Sequence, residues 1–415
     1  MKVVVLLLAA LSLVTVSCSN SEKVELKDGI WRAALTTESG AEIPFNFELA
    51  DSAGKKIIHI INGAERFKVS DISVKDDSVF IRMPLFDSEI RTKFTDGNLS
   101  GRWIKHLAAK DSYMAFNAEP GNASRFFKTD DAPKYNVTGR WSTVFVSADG
   151  QDTTVAVGEF KQKDAKVTGT FLTTTGDYRF LEGTVTEDKL SLSCFDGSHA
   201  FLFTGKINPD NTISEGKFYG GYSSIDNWTA KKDEKAMLPD AYSLTALKPG
   251  YDKINFSFPD LNGKKVSLND PRFHDKVVVV QFMGSWCPNC MDETAYLSPF
   301  YNKFKSKGVE VVGLAYERTT DFNKSKRNVE SFKKRFDVAY PLLITGFVND
   351  KKEVARSLPM LSNFVAFPTT IIIDKKGLVR KIHTGFSGPG TGNHYTEFMN
   401  EFESLINQLI TEPKS

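Results

Sequence analysis

The apolar period of this 415-residue chain changes once, and that change limits the folds open to it. Between residues 24 and 230, apolar and polar side chains alternate in short runs such as Val79-Phe80-Ile81-Arg82-Met83 and Leu190-Ser191-Leu192-Ser193-Cys194. Asp96-Gly97, Asp149-Gly150, Asp196-Gly197 and Pro209-Asp210-Asn211 punctuate the runs as turns. A period of two puts successive side chains on opposite faces of a strand, so this stretch is expected to be all β. From residue 253 the pattern becomes α/β. A short hairpin is expected over Phe256–Val266, and Val277–Phe282 is a continuous apolar run, as in a strand buried on both faces. Val309 to Ala315 reads as a second such strand, and Thr369 to Ile373 with Leu378 to His383 as a hairpin. Met291 to Phe304, Asn323 to Phe336, Asp350 to Leu358 and Tyr395 to Leu409 carry helical spacing. That order predicts a central sheet covered on both sides. Residues 231–252, rich in charge and carrying Pro and Gly without a period, are the expected linker.

The β region repeats itself. Gly29-Ile30-Trp31 recurs as Gly139-Arg140-Trp141, Phe86-Asp87 as Phe195-Asp196, and Asp77-Ser78-Val79 as Asp188-Lys189-Leu190. Two barrel- or sandwich-like units of similar plan are expected, over residues 29–135 and 136–230.

The first 17 residues belong to neither unit. Lys2 followed by the apolar run Val3 to Val16 is too short to span a bilayer of about 30 Å and fits a secretory signal. The run ends at Ser17-Cys18, before Ser19-Asn20-Ser21, and resembles a bacterial lipobox. Cys18 is therefore the expected lipidation site, residues 18–28 a tether, and the periplasmic face of a membrane the expected location. No later stretch is long and apolar enough to suggest a transmembrane helix. With 53 Lys+Arg against 51 Asp+Glu, no basic excess points to nucleic acid.

Export gives a close cysteine pair a redox meaning. Trp286-Cys287-Pro288-Asn289-Cys290 sits where the buried strand turns into a helix. Unpaired N–H groups and the positive dipole end at a helix start stabilise a thiolate, so Cys287 is the expected nucleophile. Cys290, one turn on, is the expected resolving thiol, and the two form a redox disulfide. A metal site would need two further ligands, and the six His offer no second pair at zinc spacing. A structural disulfide closing so small a loop would add little stability. No metal or other cofactor is expected. Cys194 alternates with Leu190 and Leu192 and reads as core; His383 and His394 read as surface residues.

These residues resemble the thioredoxin-like TlpA/ResA group of membrane-tethered bacterial thiol-disulfide oxidoreductases over residues 253–415. The resemblance rests on Val277–Phe282, Gly284-Ser285-Trp286-Cys287-Pro288-Asn289-Cys290, Glu293, Gly313-Leu314-Ala315, Phe367-Pro368-Thr369-Thr370 and Ile373-Asp374-Lys375-Lys376-Gly377. The tail Gly385–Gly392 looks like that of relatives from Bacteroidetes-type bacteria. It implies a thioredoxin-like domain that reduces or isomerises disulfides of exported proteins, and a possible place in cytochrome c maturation. A membrane electron donor of the DsbD type would recharge it. The resemblance also implies Pro368 as a cis-proline facing the disulfide, and Trp286, Phe367 and Thr369 as substrate-binding neighbours. Glu293 is implied as the carboxylate that handles the resolving thiol's proton, since Gln281 replaces the buried Asp of thioredoxins proper. Ala295 and Met283 depart from the family pattern, and Pro288 is shared with oxidising relatives, leaving the direction of catalysis open. Two other functions compete: a binding module over residues 24–230 that captures a client, glycan or lipid beside an accessory redox domain, and a peroxiredoxin-type peroxidase. The latter needs a P-x-x-x-T-x-x-C pocket, and no Pro or Thr stands in place upstream of Cys287.

Overall fold

A computed structural model describes residues 24–107, 110–126, 132–348 and 352–414; the expected signal and Cys18 lie outside them. Among the described residues the chain forms two nine-stranded antiparallel sheets, a two-stranded hairpin and a five-stranded mixed sheet. No described helix is long and apolar enough to cross a membrane.

The first large sheet runs from Gly29 to Pro120 and curls so that its first strand, Gly29–Thr36, pairs with its last, Ser112–Pro120. Strands Glu65–Val69 and Asp71–Lys75 end the sheet at either side of an open seam, joined only by Ser70. The second runs from Gly139 to Lys232, and Thr153–Lys163 pairs with Lys166–Thr173 to close it into an up-and-down barrel. The two units share their opening device. Trp31 Nε1 donates to Lys27 O and Trp141 Nε1 to Val137 O, both at 2.8 Å. Gly29 and Gly139, two residues before these indoles, both hold positive φ, at 111° and 119°. Aromatic rings fill the second barrel: Phe203 lies 4.4 Å from Phe218 and 4.8 Å from Phe171 between ring centroids, with Trp228 and Phe145 beside them. Eight of its strands close the ring, with the two-residue strand Gly176–Asp177 outside it, and the interior is a packed core, as barrels of that size allow. Trp31, Trp103, Trp141, Trp228 and Cys194 are all buried in the barrels.

The linker region is packed rather than free. Thr245 is buried and bonded to Thr384, and Ser362 N donates to Ala246 O. In the C-terminal sheet, Leu342–Phe347, Val309–Glu317 and Val277–Met283 run parallel, and Thr369–Ile373 and Val379–Thr384 run antiparallel beside them. Every residue of Val277–Met283 is buried, because both faces are covered. Val277 and Val279 join a core shared with the helices Pro288–Phe304, Phe322–Arg335 and Asn393–Thr411 and with the first barrel. Val278, Val280 and Phe282 face the opposite core, with Val354 and Leu358. Two expectations change. His383 is half-buried between Tyr242 and Phe398, and burial pushes its imidazole down to about 4. His394 binds Glu159 of the second barrel at 2.8 Å instead of facing solvent alone.

Candidate active site

The buried strand Val277–Met283 ends at Gly284, where a Cβ would collide with the Trp286 indole. The chain then turns, and Cys287 becomes the N-cap of helix Pro288–Phe304. Proline at the first helical position has no N–H to leave unpaired there. Cys287 and Cys290 are joined as a disulfide, with Cα atoms 5.2 Å apart. Cys290 N donates to the Cys287 sulfur at 3.2 Å, so the capping interaction is made by the sulfur itself. Cys287 is 5% exposed and Cys290 is not exposed at all. The outer sulfur is therefore the reachable one.

The Phe367–Pro368 bond is cis, and Phe367 O lies 3.8 Å from the Cys287 sulfur. Trp286 packs edge-on against Phe367, donates from Nε1 to Tyr316 O at 2.8 Å, and carries the Arg318 guanidinium 3.9 Å above its ring. Thr369 does not join this rim. It is fully buried and its hydroxyl donates to Ala366 O at 2.7 Å, because strand alternation turns it into the sheet.

Glu293 is buried on the active-site helix. Gln281 Nε2 donates to one carboxyl oxygen at 2.7 Å and Thr370 Oγ1 to the other at 2.6 Å. Burial dominates these bonds and pushes the carboxyl up to about 7. A group poised there can accept and return a proton near neutrality. Thr370 was not singled out in the sequence, although it pairs directly with Gln281 across two strands. A second buried carboxylate, Glu317, accepts from Ser285 N at 2.8 Å and Ser285 Oγ at 2.7 Å and so fixes the loop before Trp286. Burial raises its proton affinity. No local pattern marks it.

The second barrel reaches the same helix through Arg179. Its guanidinium pairs with Asp292 and with Glu65 of the first barrel, lies 3.6 Å from Asp196, and donates to Pro288 O at 3.3 Å. This one cation is shared by buried Asp292 and Asp196 and half-buried Glu65, and burial pushes the Asp292 carboxyl up to about 7. Asp177 accepts from Gly388 N at 2.7 Å in the C-terminal domain.

Known proteins match the C-terminal part of the chain. A model of the AhpC/TSA family matches residues 249–382. A thiol-disulfide oxidoreductase ResA of Bacillus thuringiensis subsp. konkukian is 31% identical over 153 residues, 37% of this chain and 77% of that protein. The ResA of Bacillus subtilis is 31% identical over 140 residues, 34% of this chain and 69% of that protein. Among solved structures, the thioredoxin domain of a thiol-disulfide oxidoreductase from Bacteroides vulgatus is 27% identical, covering 37% of this chain and 99% of that one at a TM-score of 0.28. Through its C-terminal domain, the chain belongs to the ResA-type thiol-disulfide oxidoreductases.

Proposed function

We propose that the protein reduces or isomerises disulfides of exported proteins through Cys287 and Cys290, from the periplasmic side of a membrane to which lipidated Cys18 tethers it. The observation that carries this reading is the cap: the more exposed sulfur sits at a helix start and accepts the Cys290 amide at 3.2 Å. The same N–H and dipole stabilise a thiolate when the pair is reduced. Cys287 thiolate attacks a client disulfide, forming a mixed disulfide and expelling the client's second sulfur as a thiolate. Cys290, deprotonated with Glu293 as proton acceptor, then attacks the Cys287 sulfur. The client leaves and the intrachain disulfide remains. The Phe367 backbone beside the cis-proline presents a carbonyl to an incoming chain, and Trp286 forms the flank. A membrane donor of the DsbD type resupplies the two electrons, and cytochrome c maturation is one pathway such a reductant serves.

The test is insulin reduction driven by dithiothreitol. The mature protein should accelerate it and Cys287→Ser should abolish the acceleration; activity persisting in that variant removes Cys287 as nucleophile. Cys290→Ser should accumulate thiol-sensitive adducts with clients in cells. The AhpC/TSA match raises a second, peroxidase reading, against which stands the missing Pro and Thr upstream of Cys287; peroxide consumption with the same reductant tests it.

A further inference from the structure

Two cavities of about 350 and 380 Å³ meet beside the disulfide. The first lies between the second barrel, at Thr173 and Tyr178, and Cys287 with Phe367. The second continues along the first barrel, past Met83 and Phe86. Lys105, Ser198, Trp286 and Arg318 line both, so the two form one groove with a cationic waist.

The four residues shared by both lobes include two cations and no carboxylate. Four lining carboxylates are already engaged: Asp177 by backbone N–H groups, Glu317 by Ser285, Glu89 by Arg91, and Asp87 by Lys324 at 3.2 Å. Lys105 Nζ donates to Ser198 O at 2.7 Å, and Arg318 stacks on Trp286. Among the described residues neither makes an ion pair. Burial, with Arg318 as a second cause, lowers the Lys105 ammonium to about 8. A half-buried ammonium and an exposed guanidinium, neither of them in an ion pair and both beside a reactive sulfur, make a seat for anions.

The shape selects among anions. Each lobe alone has the volume of a small-molecule pocket, so a free low-molecular-weight disulfide would fill one and leave the other. A chain passing through fills both. Cys287 is recessed between barrels and helix, which suits an extended segment and excludes the face of a folded domain.

We propose that the groove selects extended client segments in which carboxylate side chains flank the disulfide, with Lys105 and Arg318 seating those carboxylates. This rests on Cys287 acting as the nucleophile. The electron flow is that of the exchange above: two electrons leave the Cys287–Cys290 dithiol for the client disulfide, and a dithiol reductant returns them.

The experiment compares disulfide-bonded peptides of one length whose flanks are Glu-rich, Gln-rich or Lys-rich, with dithiothreitol as reductant and the full chain as enzyme. The acidic peptide should exceed the Lys-rich one in kcat/KM by about tenfold at low ionic strength, and added salt should narrow the gap. In Lys105→Gln/Arg318→Gln the ratio should fall towards one. Equal kcat/KM for all three peptides with the wild type overturns the proposal, as does a small anionic disulfide reduced as fast as the acidic peptide. If no peptide is reduced, or Cys287→Ser reduces them equally well, it is the nucleophile reading that fails instead. The salt series on the wild type keeps the test decisive if the double variant does not fold.

Discussion

Glu293 is a carboxylate held where ionisation is hard, yet with a donor on each oxygen. An unfolded Glu titrates near 4.5 and this one near 7. Below pH 4.5 the group is neutral in both states. Between 4.5 and 7 the unfolded chain ionises while the folded one keeps its proton, so stability falls as pH rises. Above 7 the loss is complete, at ~3 kcal/mol for a shift of this size. Glu293→Gln should therefore gain on the wild type as pH climbs from 4.5 to 8 in a series of denaturant melts, while its resolution step loses the inflection near neutrality. A gap that stays constant across the series would show the carboxylate already ionised throughout. Thr370 supplies a bond to the charged form, so Thr370→Val should move that inflection upward and slow the step at pH 7. An unmoved pH–rate profile would reduce Thr370 to packing. Of this network, Gln281 and Glu293 were legible in the sequence because the family pattern marks their positions. Thr370 and Glu317 were not: a hydroxyl or carboxylate gains its role only when another strand or loop is laid against it.

At the scale of elements, the period of the chain carried most of the information. Alternation located the strands and their turns, and the fully apolar run Val277–Phe282 predicted a strand with no exposed face. Ends were less legible. The active-site helix begins at Pro288, three residues before its apolar spacing starts, because a sulfur and a proline, rather than a hydrophobic stripe, define its first turn. Helix Phe322–Arg335 starts in the ordinary way, with Asp321 Oδ1 accepting from Asn323 N at 2.8 Å and Lys324 N at 3.2 Å. Asp321→Ala should cost about 1 kcal/mol, read as faster amide exchange in the first turn of that helix. Unchanged exchange there would mean the turn is held by its packing alone. Because Lys324 in that turn pairs with Asp87 of the first barrel, the loosening should extend to that contact.

Across the whole molecule, the barrels and the redox domain are one assembly, and little in the sequence announced it. Arg179 and Asp292 stand 113 residues apart, and no local pattern links them. The two substitutions that break this clamp are not equivalent. Arg179→Met leaves buried Asp292 and Asp196, and half-buried Glu65, without their cation and should cost about 3–5 kcal/mol. Asp292→Asn leaves Arg179 still facing Glu65 and Asp196 and should cost less. Thermal unfolding of both variants checks the order, and equal losses would contradict the shared-cation geometry.

Cys194 lies 1% exposed in the wall of the closed barrel, and burial pushes its thiol well above the ordinary value. An enzyme that shuffles other proteins' sulfurs is a hazard to any spare sulfur of its own. The sealed wall places this one in quarantine: mispairing with the working couple would first require prising the barrel apart.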